Sequence, residues 1–459
     1  MAASQLTQLR LTKFKSFHGA ALPLGDVTLL TGRNSSGKSN ALDGLDVLTR
    51  LAGGEDLADA LDGRRREAGA VRGGSRGCAP HGSDRFALGC TVVLESDTYL
   101  YDVDIQVFPD LKIISERLRG PAITAKSGTR NDNTIIFQTR PAASTIPGIE
   151  TEIYSGKRGA NPTQVFRDNR LVLTQIPMAV LGKNQTEKSI LKAVETVTLA
   201  LRGTFHVDPV PHLMRSFVPA HDTALRRTGE NLSSVLHDLR STDPGAFEEI
   251  VELTRQVADE QVQGISFATS SLQDLMLQLE ETRGGEDNRS EELTPAREMS
   301  DGLLRILGIA TTLKSRRSNL DIDSSPSVSA TSSSRQDGME AGVLIVIEEL
   351  ENGLHPSQAH RVLELIRKSH SETGARVLAT THSPALLDAA EGTLNDSIIV
   401  CHRDPHTGYS RLTPLTDLPG YARALAEGTL GDAVTAGKLV DDVITEPDYS
   451  DFENFLGVS

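Results

Sequence analysis

The sequence predicts an α/β fold: a mixed sheet with antiparallel hairpins in its N-terminal part, and a helical insertion. Three observations carry that prediction. A glycine-rich turn, Gly32–Ser39, joins a short apolar strand to a helix-like stretch. Two strictly alternating runs, Phe86–Leu94 and Tyr99–Val107, flank the turn Glu95-Ser96-Asp97. A wholly apolar run, Val343–Ile347, ends in two carboxylates, Glu348 and Glu349, as a strand covered on both faces would.

Taken in order, Leu9, Leu11, Phe14 and Phe17 alternate with Arg10, Lys13 and Lys15, which reads as a half-buried, kinked strand. Val27–Leu30 is the strand before the glycine-rich turn, and Asn40–Leu51 the helix after it. Residues 52–84 are rich in Gly, Arg and Asp and predict a short helix followed by a mobile loop. The two alternating runs then pair as a hairpin. From 186 to 290 the period becomes helical, in short pieces interrupted by Pro209, Pro211, Pro219 and Pro244. Residues 315–340 are of low complexity, with serines crowded over 324–334, and predict a flexible surface loop. A helix over Ser357–Ser369 and strands at Arg376–Thr380 and Ile398–Cys401 follow, and the chain closes on a helical, then acidic, stretch. The expected organisation is 1–150, a 151–294 part that is mainly helical, 295–415, and a 416–459 tail.

Composition narrows the class. The 459 residues carry 47 Lys and Arg against 62 Asp and Glu, a formal charge of −15, which excludes a globally basic nucleic-acid coat but not a local basic patch. Cys78, Cys90 and Cys401 are far apart, with no metal-ligand spacing, so neither a disulfide scaffold nor a structural zinc site is expected. No window approaches the roughly 18 apolar residues of a membrane helix, and Met1–Lys15 lacks an apolar signal core. A cytoplasmic protein with no membrane partner is the expectation.

Chemistry concentrates in four places. Gly32-Arg33-Asn34-Ser35-Ser36-Gly37-Lys38-Ser39 fits G-x-x-x-x-G-K-[ST], a loop whose backbone N–H groups curl round a phosphate at a helix N-terminus. Lys38 adds a point charge for the β- and γ-phosphates, and the Ser39 hydroxyl is a ligand for Mg²⁺. Glu348 and Glu349 lie where a parallel strand meets the ligand edge of an α/β sheet. Glu348 is placed to hold the metal and Glu349 to polarise an attacking water. Ser300-Asp301-Gly302 opens an apolar helix: Ser300 is either a plain N-cap or, with the Gly302 N–H, a second anion-binding end. His382 follows the strand Val377–Leu378 and can reach a γ-phosphate.

The order of these four is that of an ATP-binding-cassette head, in which the Ser-Asp-Gly helix serves the nucleotide of a second subunit. At this level the sequence resembles ATPases of the OLD (overcoming-lysogenisation-defect) type, related to RecF and SMC heads. The matching residues are Phe14-Lys15-Ser16-Phe17, Gly32–Asn40, Arg227-Thr228-Gly229-Glu230-Asn231-Leu232, Ser300-Asp301-Gly302, Glu348-Glu349-Leu350-Glu351-Asn352-Gly353-Leu354-His355-Pro356 and Thr381-His382-Ser383-Pro384. Glu348 departs from the usual Asp and Leu350 from the usual Pro, and the only candidate for the family's metal-sensing glutamine is Gln106. The resemblance implies a cassette-type ATPase head that binds ATP and Mg²⁺, assembles head to head and hydrolyses the nucleotide; the alternatives are a DNA-repair ATPase that binds DNA directly and a nucleotide-gated scaffold with negligible turnover. It implies nucleotide contacts from Gly32 to Asn40, with Ser300 and Gly302 acting in trans, Ser39 and Glu348 at the metal, and Lys38, Glu349 and His382 in catalysis.

Many members of that group are fused to or encoded beside a nuclease and serve in antiphage defence or DNA processing. No Asp-x-Asp follows His382, so a built-in Toprim nuclease is not expected and a separately encoded effector is. The helical insertion, which the ATP site does not need, is its expected docking surface. Arg64, Arg65, Arg66, Arg72 and Arg76 form the one dense basic run, either a solvated loop or a contact to DNA phosphates. The acidic tail around Asp441, Asp442 and Glu446 reads as a solvated face or as a dock for a basic partner.

Overall fold

The computed structural model describes residues 3–63, 69–124, 128–140, 148–258, 262–283, 290–322, 340–353, 355–390, 392–423, 430–436 and 439. Arg64, Arg65, Arg66, the serine-rich segment and the acidic tail lie outside these residues.

Five short parallel strands form the centre, in the spatial order Thr204–Val207, Leu344–Ile347, Arg376–Thr380, Val27–Thr31 and Ile398–Arg403. Every residue of Val27–Thr31, Leu344–Ile347 and Arg376–Thr380 is buried, so their sequences show no polar alternation. Alternate side chains feed two cores. Leu30, Val346, Leu378 and Ile399 pack with the helices Lys38–Ala52 and Gln185–Arg202. Leu29, Ile345, Val377 and Val400 pack with the helices Asp301–Lys314 and Ala359–Thr373. Burying one such aliphatic side chain contributes about 1.5–3 kcal/mol, so the register of these strands is strongly held.

The same sheet continues through Ser410–Pro414, Phe17–Pro23 and Ala3–Phe14 into the expected hairpin and beyond. Arg85–Leu94 pairs antiparallel with Asp97–Gln106, with Leu94 opposite Asp97 and Phe86 opposite Ile105. Phe86, Leu88, Cys90, Val92, Tyr99, Tyr101, Val103 and Ile105 are all buried, so one face of the hairpin joins the first core.

Three expectations need correction. Helices do occupy Gln185–Arg202, Leu232–Thr242 and Pro244–Ala258, but Val262–Thr269, Asp274–Arg283 and Ser290–Pro295 are antiparallel strands of a second sheet. The 151–294 stretch is therefore not mainly helical. Leu275, Leu277 and Leu279 already carry the two-residue period of a strand; the intervening Met276 and the leucine-rich composition masked it. Nor is the first of those helices an appended element, since Ile190, Val194, Val197 and Leu201 are part of the first core. Finally, residues 52–84 hold two short helices, Leu57–Asp62 and Gly74–Cys78, with Val71 and Cys78 buried.

The hairpin lobe is pinned by a buried carboxylate. Glu116 accepts hydrogen bonds from the backbone N–H groups of Val172 and Leu173, both at 2.7 Å, and from the Tyr101 hydroxyl at 2.9 Å. Burial pushes its carboxyl up to about 7, outweighing those three donors. A carboxyl whose folded pKa exceeds its unfolded value holds its proton more tightly when folded. Its contribution to stability is thus full below about 4.5 and is lost as pH rises through about 7. Denaturant titrations at pH 5 and pH 8 should show Glu116→Gln destabilised more at pH 5 than at pH 8, by up to the order of 3 kcal/mol. Equal destabilisation at both pH values would refute this.

Candidate nucleotide-binding site

Three neighbouring strands end at one edge of the sheet and gather the site there. Thr380 pairs with Leu30 and Ile347 with Ala379, so the glycine-rich loop, the acidic pair and His382 leave the sheet side by side.

The loop needs its glycines. Gly32 has φ 140°, and a Cβ there would stand 2.1 Å from the Cys401 carbonyl oxygen. Gly37 has φ 122° and directly precedes the helix Lys38–Ala52. Side chains around the loop brace it: from the neighbouring strands Ser410 Oγ donates to the Ser36 carbonyl and Arg403 Nε to that of Ser35 at 3.2 Å, and Asn40 Nδ2, on the following helix, donates to Ser16 Oγ at 2.8 Å. Lys38 Nζ folds over the loop, donating to the Gly32 and Arg33 carbonyls at 2.6 and 3.3 Å. Its pKa is lowered by burial, against the pull of Cys401, Glu351 and Glu349. Arg33, Asn34 and Ser35 are exposed at the rim, and Ser35 is in the left-handed region at φ 64°.

Ser39 and Glu348 meet. Ser39 Oγ donates to Glu348 Oε1 at 2.9 Å, joining residues 309 positions apart. A hydroxyl beside a half-buried carboxylate is a donor set that suits Mg²⁺, which keeps several waters and takes further oxygens from phosphate. Among the described residues no group of three or more His, Cys, Asp or Glu could hold a metal. By their donor chemistry and contact, Ser39 and Glu348 are the residues that would hold such an ion.

Glu349 is exposed at φ 51°, an uncommon backbone conformation for a residue with a side chain. Two hydrogen bonds fix it there: its N–H donates to Thr380 Oγ1 at 2.8 Å, and Asn352 Nδ2 donates to its Oε2 at 2.6 Å. His382 is exposed as well, and Glu351 holds it by two bonds described below.

Ser300 and Gly302 lie elsewhere. Ser300 Oγ accepts from the Leu303 N–H at 3.2 Å, so the capping reading holds. Gly302 is pressed against Gly353, where a Cβ would come within 2.5 Å of the carbonyl oxygen. Arg215 anchors this helix start, with Nη2 donating to the Met299 carbonyl and to Asp301 Oδ1, both at 2.7 Å. A cavity of about 340 Å³ opens there, lined by Ser300, Gly302, Glu281, Glu298, Gly353 and His355.

Several residues escaped the sequence reading. Arg72, counted there with the basic run, reaches Glu348 Oε1 at 3.2 Å and Asp43 Oδ1 at 2.9 Å, and Lys15 Nζ meets Asp43 Oδ2 at 2.7 Å. Asp43 follows Ser39 by four residues, one helical turn on the same face, which was the available signal. Arg76 is exposed and lies over the Phe108 ring. Gln106 donates to the Asp110 carbonyl in an exposed turn at the end of its strand.

The sequence model of one family, described as "AAA domain, putative AbiEii toxin, Type IV TA system", matches residues 27–160 and 199–388. Among curated proteins nothing matches the chain. Among solved structures, an SMC head bound to the C-terminal winged-helix domain of ScpA is 15% identical, with a TM-score of 0.44, covering 89% of this chain and 97% of its own. The SMC head domain from Thermotoga maritima is 12% identical, with a TM-score of 0.40, covering 89% and 98%. The ATP-bound recombination mediator RecF is 10% identical, with a TM-score of 0.33, covering 83% and 94%.

Gly32→Ala should be costly, because it combines a positive φ with a backbone clash. Its unfolding free energy should fall by about 2–4 kcal/mol in denaturant titration. A change below about 0.5 kcal/mol would mean the loop relaxes freely, contrary to this packing.

Proposed function

Because the chain belongs to the AAA-domain family whose sequence model it matches, we propose that it binds ATP with Mg²⁺, pairs head to head with a second copy over the nucleotide, and hydrolyses it. One observation carries the reading: the Ser39–Glu348 hydrogen bond brings the phosphate loop and the acidic strand to a single point. The loop N–H groups and Lys38 neutralise the β- and γ-phosphates. Bound Mg²⁺ supplies charge compensation on the transferred phosphoryl group. Glu349, steadied by Asn352 and Thr380, orients the attacking water and takes its proton, while His382 contacts the γ-phosphate.

Ser300 and Gly302 complete the site of the second copy. The packing of Gly302 against Gly353, in the segment that follows the acidic pair, supports this by placing the helix start beside that segment. In this reading the nucleotide state is a switch, and a separately encoded effector, in the defence-type reading a nuclease, responds to it. The second sheet and the helices Leu232–Thr242 and Pro244–Ala258 replace the all-helical insertion as the favoured docking region. Direct DNA contact through Arg64, Arg65 and Arg66 is the alternative route.

Three variants test the reading. Lys38→Ala should weaken ATP binding by about 100-fold or more in a fluorescent-nucleotide titration. Glu349→Gln should bind ATP as the wild type does yet release phosphate about 10²–10⁴ times more slowly, so that ATP-dependent dimers accumulate on size exclusion. Wild-type turnover by Glu349→Gln would remove that residue from the base role. Mixing Ser300→Arg with Lys38→Ala subunits should restore activity, because one composite site then keeps an intact loop and an intact Ser-Asp-Gly helix. Complete inactivity under subunit exchange would exclude action in trans.

A further inference from the structure

We propose that Glu351 is the positioning residue for His382, and that the pair works as a carboxylate–imidazole dyad at the γ-phosphate end of the site. The inference rests on the ATPase reading above and adds to it a residue whose role that reading leaves empty.

Glu351 Oε1 engages His382 twice. It lies 2.6 Å from the ring Nδ1 and accepts the backbone N–H of His382 at 2.7 Å. One oxygen thus fixes both the chain position and the ring of the histidine. The asymmetry of exposure is informative: the Glu351 side chain is 14% exposed, and the imidazole it holds is 46% exposed. A buried support carries an accessible group. The other oxygen, Oε2, is buried and meets no hydrogen-bond donor among the described residues.

The chemistry follows from the acceptor. An ionised carboxylate accepts only, so the proton between the groups sits on Nδ1, and Nε2 is the ring nitrogen left for a substrate oxygen. Without Glu351 the ring would rotate and exchange tautomers, and the fraction presenting Nε2 in the right direction would fall. The carboxylate also contributes to the field at Lys38, which places it within the electrostatic neighbourhood of the phosphate loop. Its neighbour Asn352 does for Glu349 what Glu351 does for His382, so two consecutive residues orient the two reacting side chains.

The test compares Glu351→Ala, Glu351→Gln and His382→Ala. Glu351→Ala should lower kcat about 10–100-fold with its ATP dissociation constant within about twofold of wild type. Glu351→Gln keeps an acceptor for both N–H groups and should recover most of that loss. The double variant Glu351→Ala/His382→Ala should be no slower than His382→Ala alone, since both changes remove one unit. Multiplying losses, a Gln variant as slow as the Ala variant, or wild-type turnover by Glu351→Ala would each overturn the proposal. A second readout does not depend on hydrolysis. In ¹⁵N-histidine-labelled protein, the His382 ring signals, assigned by difference from His382→Ala, should show the Nδ1–H tautomer in the wild type and tautomer averaging in Glu351→Ala. If the wild type binds ATP without turning it over, the hydrolytic reading fails while this measurement still decides the dyad. Ring signals unchanged by Glu351→Ala would reject the dyad.

Discussion

The site depends on one constraint, the parallel register of strands buried on both faces. Ser39 and Glu348 are 309 residues apart, and nothing local brings them together. What does is the pairing of Val27–Thr31 with Arg376–Thr380, and of that strand with Leu344–Ile347. Because side chains alternate between two cores, a slip of one residue would exchange Leu29 with Leu30 and Ile345 with Val346 between cores built for other shapes. The same slip would carry the loop away from the carboxylates. Core packing and site geometry are therefore one requirement.

Electrostatics at the strand ends is balanced by specific pairing. Glu348, Glu349, Glu351 and Asp43 crowd the edge, and each has a named partner: Ser39 and Arg72, Asn352, His382, and Lys15 with Arg72. Arg72 links Glu348 to the helix that follows the loop, so a residue just beyond 64–68 is tied to the strand end. Cations thus oppose Glu348 and Asp43, whereas Glu349 is held by a neutral amide.

Much of the fold was legible because its signals are local. The phosphate loop, the hairpin from Phe86 to Val107 and the apolar strand before Glu348 each follow from spacing within about twenty residues. The strands from Val262 to Pro295 were not legible, because Leu275, Met276, Leu277 and Leu279 satisfy a helical window as readily as a strand and only pairing decides. In the site, the types Lys38, Ser39, Glu348, Glu349 and His382 were readable from motif order. Arg72, Asp43, Glu351 and Asn352 were not, since their roles are contacts to other side chains that no single-sequence period encodes.

The strain at Glu349 ties these levels together. A residue with a side chain at φ 51° costs on the order of 1 kcal/mol, and the chain holds it with the Thr380 hydroxyl from the next strand and with Asn352 three residues on. Extended backbone at that point would continue the strand and send the following side chains to alternate faces of the sheet. The strand has ended at Ile347, and the left-handed residue turns the chain, so that Leu350 is fully buried and Glu351 meets His382. The Leu350 N–H donating to the Thr380 carbonyl at 2.9 Å completes the turn. The backbone irregularity thus gives three glutamates within four residues different surroundings: Glu348 meets Ser39, Glu349 is exposed and Glu351 meets the histidine.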